Sequence, residues 1–246
     1  MTMSDARVDV SVVVPVYNEG ENVAGLVAEI ARALEGRAYE MIFVDDCSRD
    51  DTTEVLHRLK ATHPQLRVLR HAANAGQSRA VRSGVLAARA AVVATLDGDG
   101  QNDPADLPRL VDGLVRADAP PRLAMVGGRR AKRQDSAWKR FGSRFGNGVR
   151  KRLLNDQADD TGCGIKAFRR DAFLRLPYFD HLHRFLPALM LREGFEIAFE
   201  DVNHRPRAHG VSKYSNIGRL LASVSDLAGV MWLLRRARQP GDVDEV

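Results

Sequence analysis

Apolar positions change their spacing repeatedly along the first hundred residues. "VSVVVPVY" (10–17) is a β-branched run with no polar alternation, which predicts a strand buried on both faces. Val23, Leu26, Val27, Ile30 and Leu34 then recur at helical spacing and stop near Gly36. "YEMIFVDD" (39–46) predicts a second strand, and "RDDTTEVLHRLKAT" a helix with acids in its first turn. "LRVLRH" (66–71), "GQSRAVRSGVLAARA" and "AVVATLD" (91–97) add a strand, a helix and a strand. Further on, "RLAMVGGRR" (122–130) predicts a fifth strand and "DTGCGIKAFRR" (160–170) a short extended run. "HLHRFLPALMLREG" (181–194) predicts a helix that His183 and Arg184 help to start, and "FEIAFEDVNHRPR" (195–207) a strand. Strands alternating with helices of this length imply parallel βαβ units and one α/β domain.

In such sheets ligands collect at the carboxyl ends of the strands. That rule gathers Asn18 and Glu19, Asp45 and Asp46, Asn74 and Gly76, and Asp97 and Asp99 on one rim. Asp97 and Asp99 belong to "ATLDGDGQND", where two carboxylates one residue apart could hold Mg²⁺ or Mn²⁺ and leave positions for substrate phosphates. The same residues also suit an Asx turn followed by a helix start at Asn102-Asp103-Pro104. Asp46 reads as facing a ligand, and Asp50 or Asp51 as capping the second helix. Neither GxGxxG nor GxxxxGK[ST] occurs, which argues against a Rossmann dinucleotide site and a P-loop.

Composition adds constraints. The net charge is +5, which suits anionic partners. From Arg129 to Arg152 there are ten Lys or Arg and one acid, Asp135; the block fits either a solvated basic loop or a phosphate site. Cys47 and Cys163 form no metal or disulfide pattern, so a reducing compartment is expected. The N-terminus has no apolar signal core, and no stretch reaches the ~18 apolar residues of a membrane span.

Taken in order, "VVVPVYNEGENV", "FVDDCSRDDT", "NAGQSRAVRSG", "LDGDGQNDP", "GGRR", "DTGCGIKAFRR" and "HRPRAHGVSKY" resemble the family 2 glycosyltransferases of GT-A fold. Within them the chain looks like the dolichol- or polyprenyl-phosphate mannosyltransferase-like branch. The resemblance implies a single GT-A domain over 8–214, with a Rossmann-like, mostly parallel sheet flanked by helices. Residues 8–104 would form the nucleotide-binding half and 105–214 the acceptor half. An amphipathic helix (215–238) and a flexible tail (239–246) would follow. Pro15, Tyr17, Asn18, Glu19, Asp45, Asp46, Asn74, Gly76 and Arg79 would serve the nucleotide-sugar. Asp97 and Asp99, joined by Gln101, would bind the metal. Arg205, Arg207 and Lys213 would close over the donor diphosphate, with Asp97, Asp99 and Arg205 as the catalytic set. The QxxRW signature of processive synthases is absent, which speaks against chain polymerisation.

The implied reaction is metal-dependent, inverting transfer of a sugar from GDP-mannose or a UDP-hexose. A polyprenyl-phosphate acceptor needs no general base, because its second pKa is about 6. Arg129, Arg130, Ser143 and Arg144 in and beyond the basic block, with His183 and Arg184, would receive it. A saccharide hydroxyl is the alternative acceptor and would need a base such as Asp160. A nucleic-acid partner is not expected, because the block interleaves few aromatics beyond Trp138, Phe141 and Phe145. Ile217, Leu220, Leu221, Val224, Leu227, Met231 and Leu234 share one helical stripe that ends in Arg235, Arg236 and Arg238. It suits a membrane interface, packing on the core, or a seam between two copies in a homo-oligomer. The expected location is the cytoplasmic face of the membrane, as a peripheral protein.

Overall fold

The computed structural model describes residues 8–130, 153–154, 156, 162–206 and 216–238. β1 (Val10–Val16), β2 (Tyr39–Asp45), β3 (Leu66–Arg70), β4 (Val92–Thr95), β5 (Leu123–Arg130), β6 (Lys166–Arg169) and β7 (Glu196–Val202) form one sheet in the order β3-β2-β1-β4-β6-β5-β7. β6 runs antiparallel to β4 and β5, while the other pairings are parallel. The helices are α1 (Gly20–Ala33), α2 (Thr52–Leu59), α3 (Gln77–Ala87), α4 (Leu107–Val115), α5 (Arg170–Arg175), α6 (Leu186–Arg192) and α7 (Asn216–Arg236).

The sheet separates two apolar layers, and β1 shows why its sequence has no polar alternation. Val12, Val14 and Val16 point into one layer with Val23, Leu26, Val27 and Ile30 of α1, Leu56 of α2, and Leu110 and Leu114 of α4. Val13 points into the other with Ala80, Val81 and Val85 of α3, Phe173 of α5, Leu189 of α6 and Val230 of α7. Every β1 residue is buried, so each apolar side chain removes surface from water on one face or the other. Phe168 and Phe173 stack with centroids 5.0 Å apart and pin α5 to β6.

One expectation is corrected. The segment 181–194 is not one helix: a 3₁₀ turn (Leu182–Arg184) precedes α6. His181 adopts φ 64°, and Pro187 in the first turn of α6 has no N–H to extend the turn's bonding backward. His183 and Arg184 therefore sit in the turn, not at the start of α6. Among the described side chains of α7, apolar positions face both the core and the surface. Leu227, Met231 and Leu234 pack on the core beside Val230, while Val224 and Trp232 stay 61% and 63% exposed. No described helix is long and apolar enough to cross a membrane.

Candidate active site

β1 lies between β2 and β4, so the strand order reverses direction there and opens a crevice at the carboxyl ends. The loops leaving β1, β2 and β4 meet at this crevice. Asn18 (φ 52°) accepts from Arg49 N–H at 2.8 Å, and its own N–H donates to Ser48 Oγ at 2.9 Å. Glu19 N–H donates to Thr52 Oγ1 at 2.9 Å. Asp50 Oδ1 accepts from Thr52 N–H at 3.1 Å, so Asp50 rather than Asp51 supplies the side-chain cap of α2.

Asp45 and Asp46 take different roles from those their position suggests. Asp45 is fully buried and accepts from Ser48 N–H (2.8 Å) and from the Thr53 hydroxyl. It builds the loop rather than presenting oxygen to a ligand. Asp46 is 4% exposed and accepts from Ala75 N–H (2.9 Å), Gly76 N–H (2.7 Å) and His71 Nδ1 (2.7 Å). Its carboxylate faces the start of α3, and Asn74 Nδ2 donates to its carbonyl at 3.0 Å. Gly76 makes this possible, because its φ of 85° is costly for any residue with a Cβ. Pro15 is buried in β1, and Tyr17 is part-exposed at the rim. Arg79 stacks over the Tyr178 ring, 3.9 Å from its centroid.

Asp97 lies just past β4. Its N–H donates to Asn102 Oδ1 at 3.1 Å, Oδ1 accepts from Gln77 Nε2 at 2.7 Å, and Oδ2 packs against the Cα of Gly164. Burial, and next the charge of Asp99, push its pKa up to about 6, against the pull of Lys166, Gln77 and Arg130. Asp99 Oδ1 accepts from Gln101 N–H at 3.1 Å. A buried carboxylate whose charge is disfavoured by burial and by its neighbour belongs to a donor set that a divalent cation would relieve. Among the described residues no group of three His, Cys, Asp or Glu side chains is placed to enclose an ion. The pair thus suits Mg²⁺ or Mn²⁺, which take one or two carboxylates and fill further positions with water and phosphate. The Asx reading of the same stretch also holds locally, since Asp103 caps a 3₁₀ turn (Pro104–Asp106) through Ala105 N–H.

The segment after β7 lies along this loop. Asn102 and His204 form an isolated antiparallel bridge, Arg205 N–H donates to Gln101 O at 2.9 Å, and Asn203 N–H donates to Asp106 Oδ2 at 2.7 Å. The Arg205 guanidinium grips Glu29 at 2.8 and 3.0 Å and Asp103 at 2.6 Å. Two carboxylates already neutralise it, so in this arrangement it clamps the segment to α1 rather than facing a diphosphate. Arg129 is likewise drawn to Asp201, its cross-strand neighbour on β7, at 2.7 Å. Arg130, one residue on, acts on Asp97 instead.

Reasoning from sequence missed Lys166. It is 6% exposed and donates to Cys163 O, and its charge acts on both Asp97 and His183. The signal was available: a lysine between Ile165 and Ala167 in a buried strand is anomalous without a charge to meet. His183 Nδ1 lies 2.7 Å from Ser78 Oγ, and burial followed by the charges of Lys166 and Arg184 lowers its pKa to about 3. The imidazole is therefore neutral at physiological pH. Arg207, Lys213, Ser143, Arg144 and Asp160 lie outside the described residues, as do the aromatics of the basic block.

Paired carboxylates at the switch point of an α/β sheet are an arrangement that can serve a metal- and nucleotide-dependent transferase. The family model "Glycosyl transferase family 2" matches residues 11–176, and the chain belongs to that family. It is 33% identical over 239 residues to the dodecaprenyl-phosphate galacturonate synthase of Rhizobium johnstonii, covering 95% of this chain and 69% of that protein. It is 38% identical over 229 residues to the undecaprenyl-phosphate 4-deoxy-4-formamido-L-arabinose transferase of Pseudomonas aeruginosa, covering 90% of this chain and 65% of that one. The chain thus spans about two thirds of the length of these relatives. Among solved structures, glucosyl-3-phosphoglycerate synthase from Mycobacterium tuberculosis, with Mn²⁺, uridine diphosphate and glucosyl-3-phosphoglycerate, superposes with TM-score 0.69 at 18% identity, over 96% of this chain and 82% of that one. The same enzyme with Mg²⁺ and uridine diphosphate gives 0.68, also at 18% identity and over the same shares of the two chains. At that identity the likeness establishes the fold.

Proposed function

We propose that the chain is an inverting glycosyltransferase that moves one sugar from a nucleotide diphosphate to a polyprenyl phosphate. The observation that carries this reading is the Asp97–Asp99 pair at the switch point, where Asp97 is raised to about 6 by burial and by its neighbour. Its setting in a family whose relatives bear polyprenyl-phosphate transferase names supports the acceptor. Mg²⁺ or Mn²⁺ on Asp97 and Asp99, with Gln101 beside them, would neutralise charge on the departing diphosphate. The chain's own residues do the rest. The loops from β1 and β2, with the start of α3, line the nucleotide side. Lys166 and Arg130 keep positive charge beside Asp97. Neutral His183, on Ser78, faces the acceptor side with Arg184.

In the step itself, an acceptor phosphate oxygen bonds to the anomeric carbon as the bond from that carbon to the diphosphate breaks. The electron pair leaves with the nucleoside diphosphate. No base is required, because the phosphate is already ionised near pH 7. Contact with the membrane falls to the exposed edge of α7, where Val224 and Trp232 stand near Arg235 and Arg236. On this reading the enzyme works at the inner face of the membrane as a peripheral protein.

The reading is tested with a radiolabelled nucleotide-sugar, polyprenyl phosphate and Mn²⁺. Label moving into the organic extract, and lost on adding chelator, is the expected result. Label that appears only in water-soluble saccharide would replace the lipid acceptor with a hydroxyl.

A further inference from the structure

The first turn of α3 touches three separate parts of the site through consecutive residues. Ala75 and Gly76 N–H groups bind the Asp46 carboxylate at 2.9 and 2.7 Å. Ser78, 2% exposed, lies 2.7 Å from His183 Nδ1 and also accepts from His183 N–H at 3.3 Å. Between these anchors Gln77 sends its amide across the crevice to Asp97 Oδ1 at 2.7 Å. The turn is fixed on both sides of residue 77, so an otherwise exposed side chain delivers its N–H to one place.

From this geometry we infer that Gln77 is a positioning residue that sets the rotamer of the metal-binding carboxylate of Asp97. The inference rests on the metal reading given above. Asp97 is held from two directions: Oδ2 lies against Gly164, and Oδ1 is tied to Gln77. With both oxygens fixed, the remaining lone pairs point in a set direction toward an arriving cation. An amide suits this task. It donates one hydrogen bond without adding positive charge that would repel the ion, as a lysine would. Partners of this kind, behind a metal ligand, typically change metal affinity ~10–100-fold.

The test measures Mn²⁺ binding to the full chain from the electron paramagnetic resonance of the free ion, beside unfolding in chelator. Gln77→Ala, and Gln77→Met of equal length without the donor, should raise the Mn²⁺ dissociation constant by about 10–100-fold. In chelator both Gln77 variants should still unfold in one cooperative transition, at a melting temperature lowered only by the loss of one donor to the Asp97 carboxylate. Wild-type Mn²⁺ affinity in both Gln77 variants, with binding lost in Asp99→Ala, would overturn the inference and leave the metal site standing. Mn²⁺ affinity that also survives Asp99→Ala would overturn both. Loss of the cooperative transition in chelator in both Gln77 variants would make the contact structural and also count against it.

Discussion

Asp97→Asn is expected to stop transfer while making the metal-free protein more stable at pH 7.5. The carboxyl of Asp97 ordinarily titrates at 3.8 and is raised to about 6 in the fold, first by burial and then by Asp99. A folded pKa above the unfolded one contributes stability that is fully present below pH 3.8 and is lost as pH rises through about 6. Above that pH the folded protein carries a charge it holds unfavourably, at a cost of about 3 kcal/mol if the displacement is fully expressed. Asparagine keeps the shape and removes the charge. In chelator at pH 7.5 the melting temperature of the variant should therefore exceed wild type by up to roughly 6–12 °C. Near pH 4 the two proteins should coincide. Transfer should fall at least ~100-fold, because several kcal/mol of charge stabilisation in the transition state are removed. Equal or lower stability of Asp97→Asn at pH 7.5 would mean that Asp97 is not held under strain.

Gly164→Ala should lose both stability and activity. A Cβ at residue 164 would overlap the carboxylate of Asp97 and stand 2.7 Å from Asn102 Oδ1. Neither neighbour can yield cheaply. Asp97 Oδ1 is tied to Gln77, and Asn102 Oδ1 accepts the Asp97 N–H. Thr95 Oγ1 also donates to Gly164 O at 3.1 Å, so the backbone of residue 164 is fixed to the end of β4. Crowding of this kind costs about 1–3 kcal/mol. Displacing a metal ligand by even ~1 Å can cost ~100-fold in rate. Gly113→Ala provides the contrast: a Cβ there meets Val126 at 3.6 Å, ordinary contact inside α4. That change should stabilise by up to ~1 kcal/mol. Urea unfolding of the two alanine variants should therefore move the midpoint in opposite directions; a shared direction would contradict the packing described at Gly164.

Much of this arrangement was legible from local pattern. The valine-rich run of β1, without polar alternation, announced a strand with helices on both sides, and the rule of strand ends brought Asp97 and Asp99 to the crevice. What stayed hidden depended on register and on contacts between distant segments. Nothing local separates Asp45 from Asp46; one turns into the loop and the other toward α3 because successive strand residues face opposite ways. Gln77 and Asp97 stand 20 residues apart and meet because α3 crosses from β3 to β4 over the intervening strands. The antiparallel setting of β6 could not be read from four residues, yet it carries Lys166 into the site. Arg205 was assigned to the diphosphate by its motif, but its partners Glu29 and Asp103 come from α1 and the loop after β4, which no spacing in "HRPR" reveals.

On the proposed reading, Asp97 and Asp99 hold the ion that receives the donor diphosphate. Thermal unfolding of wild type and Asp99→Ala with a panel of nucleotide-sugars, each with and without Mn²⁺, addresses it most directly. Ligand that binds the folded state raises the melting temperature by mass action. The predicted result is a concentration-dependent rise with one donor that requires Mn²⁺ in wild type, and no Mn²⁺-dependent rise in Asp99→Ala. A Mn²⁺-dependent rise of full size in Asp99→Ala would contradict it.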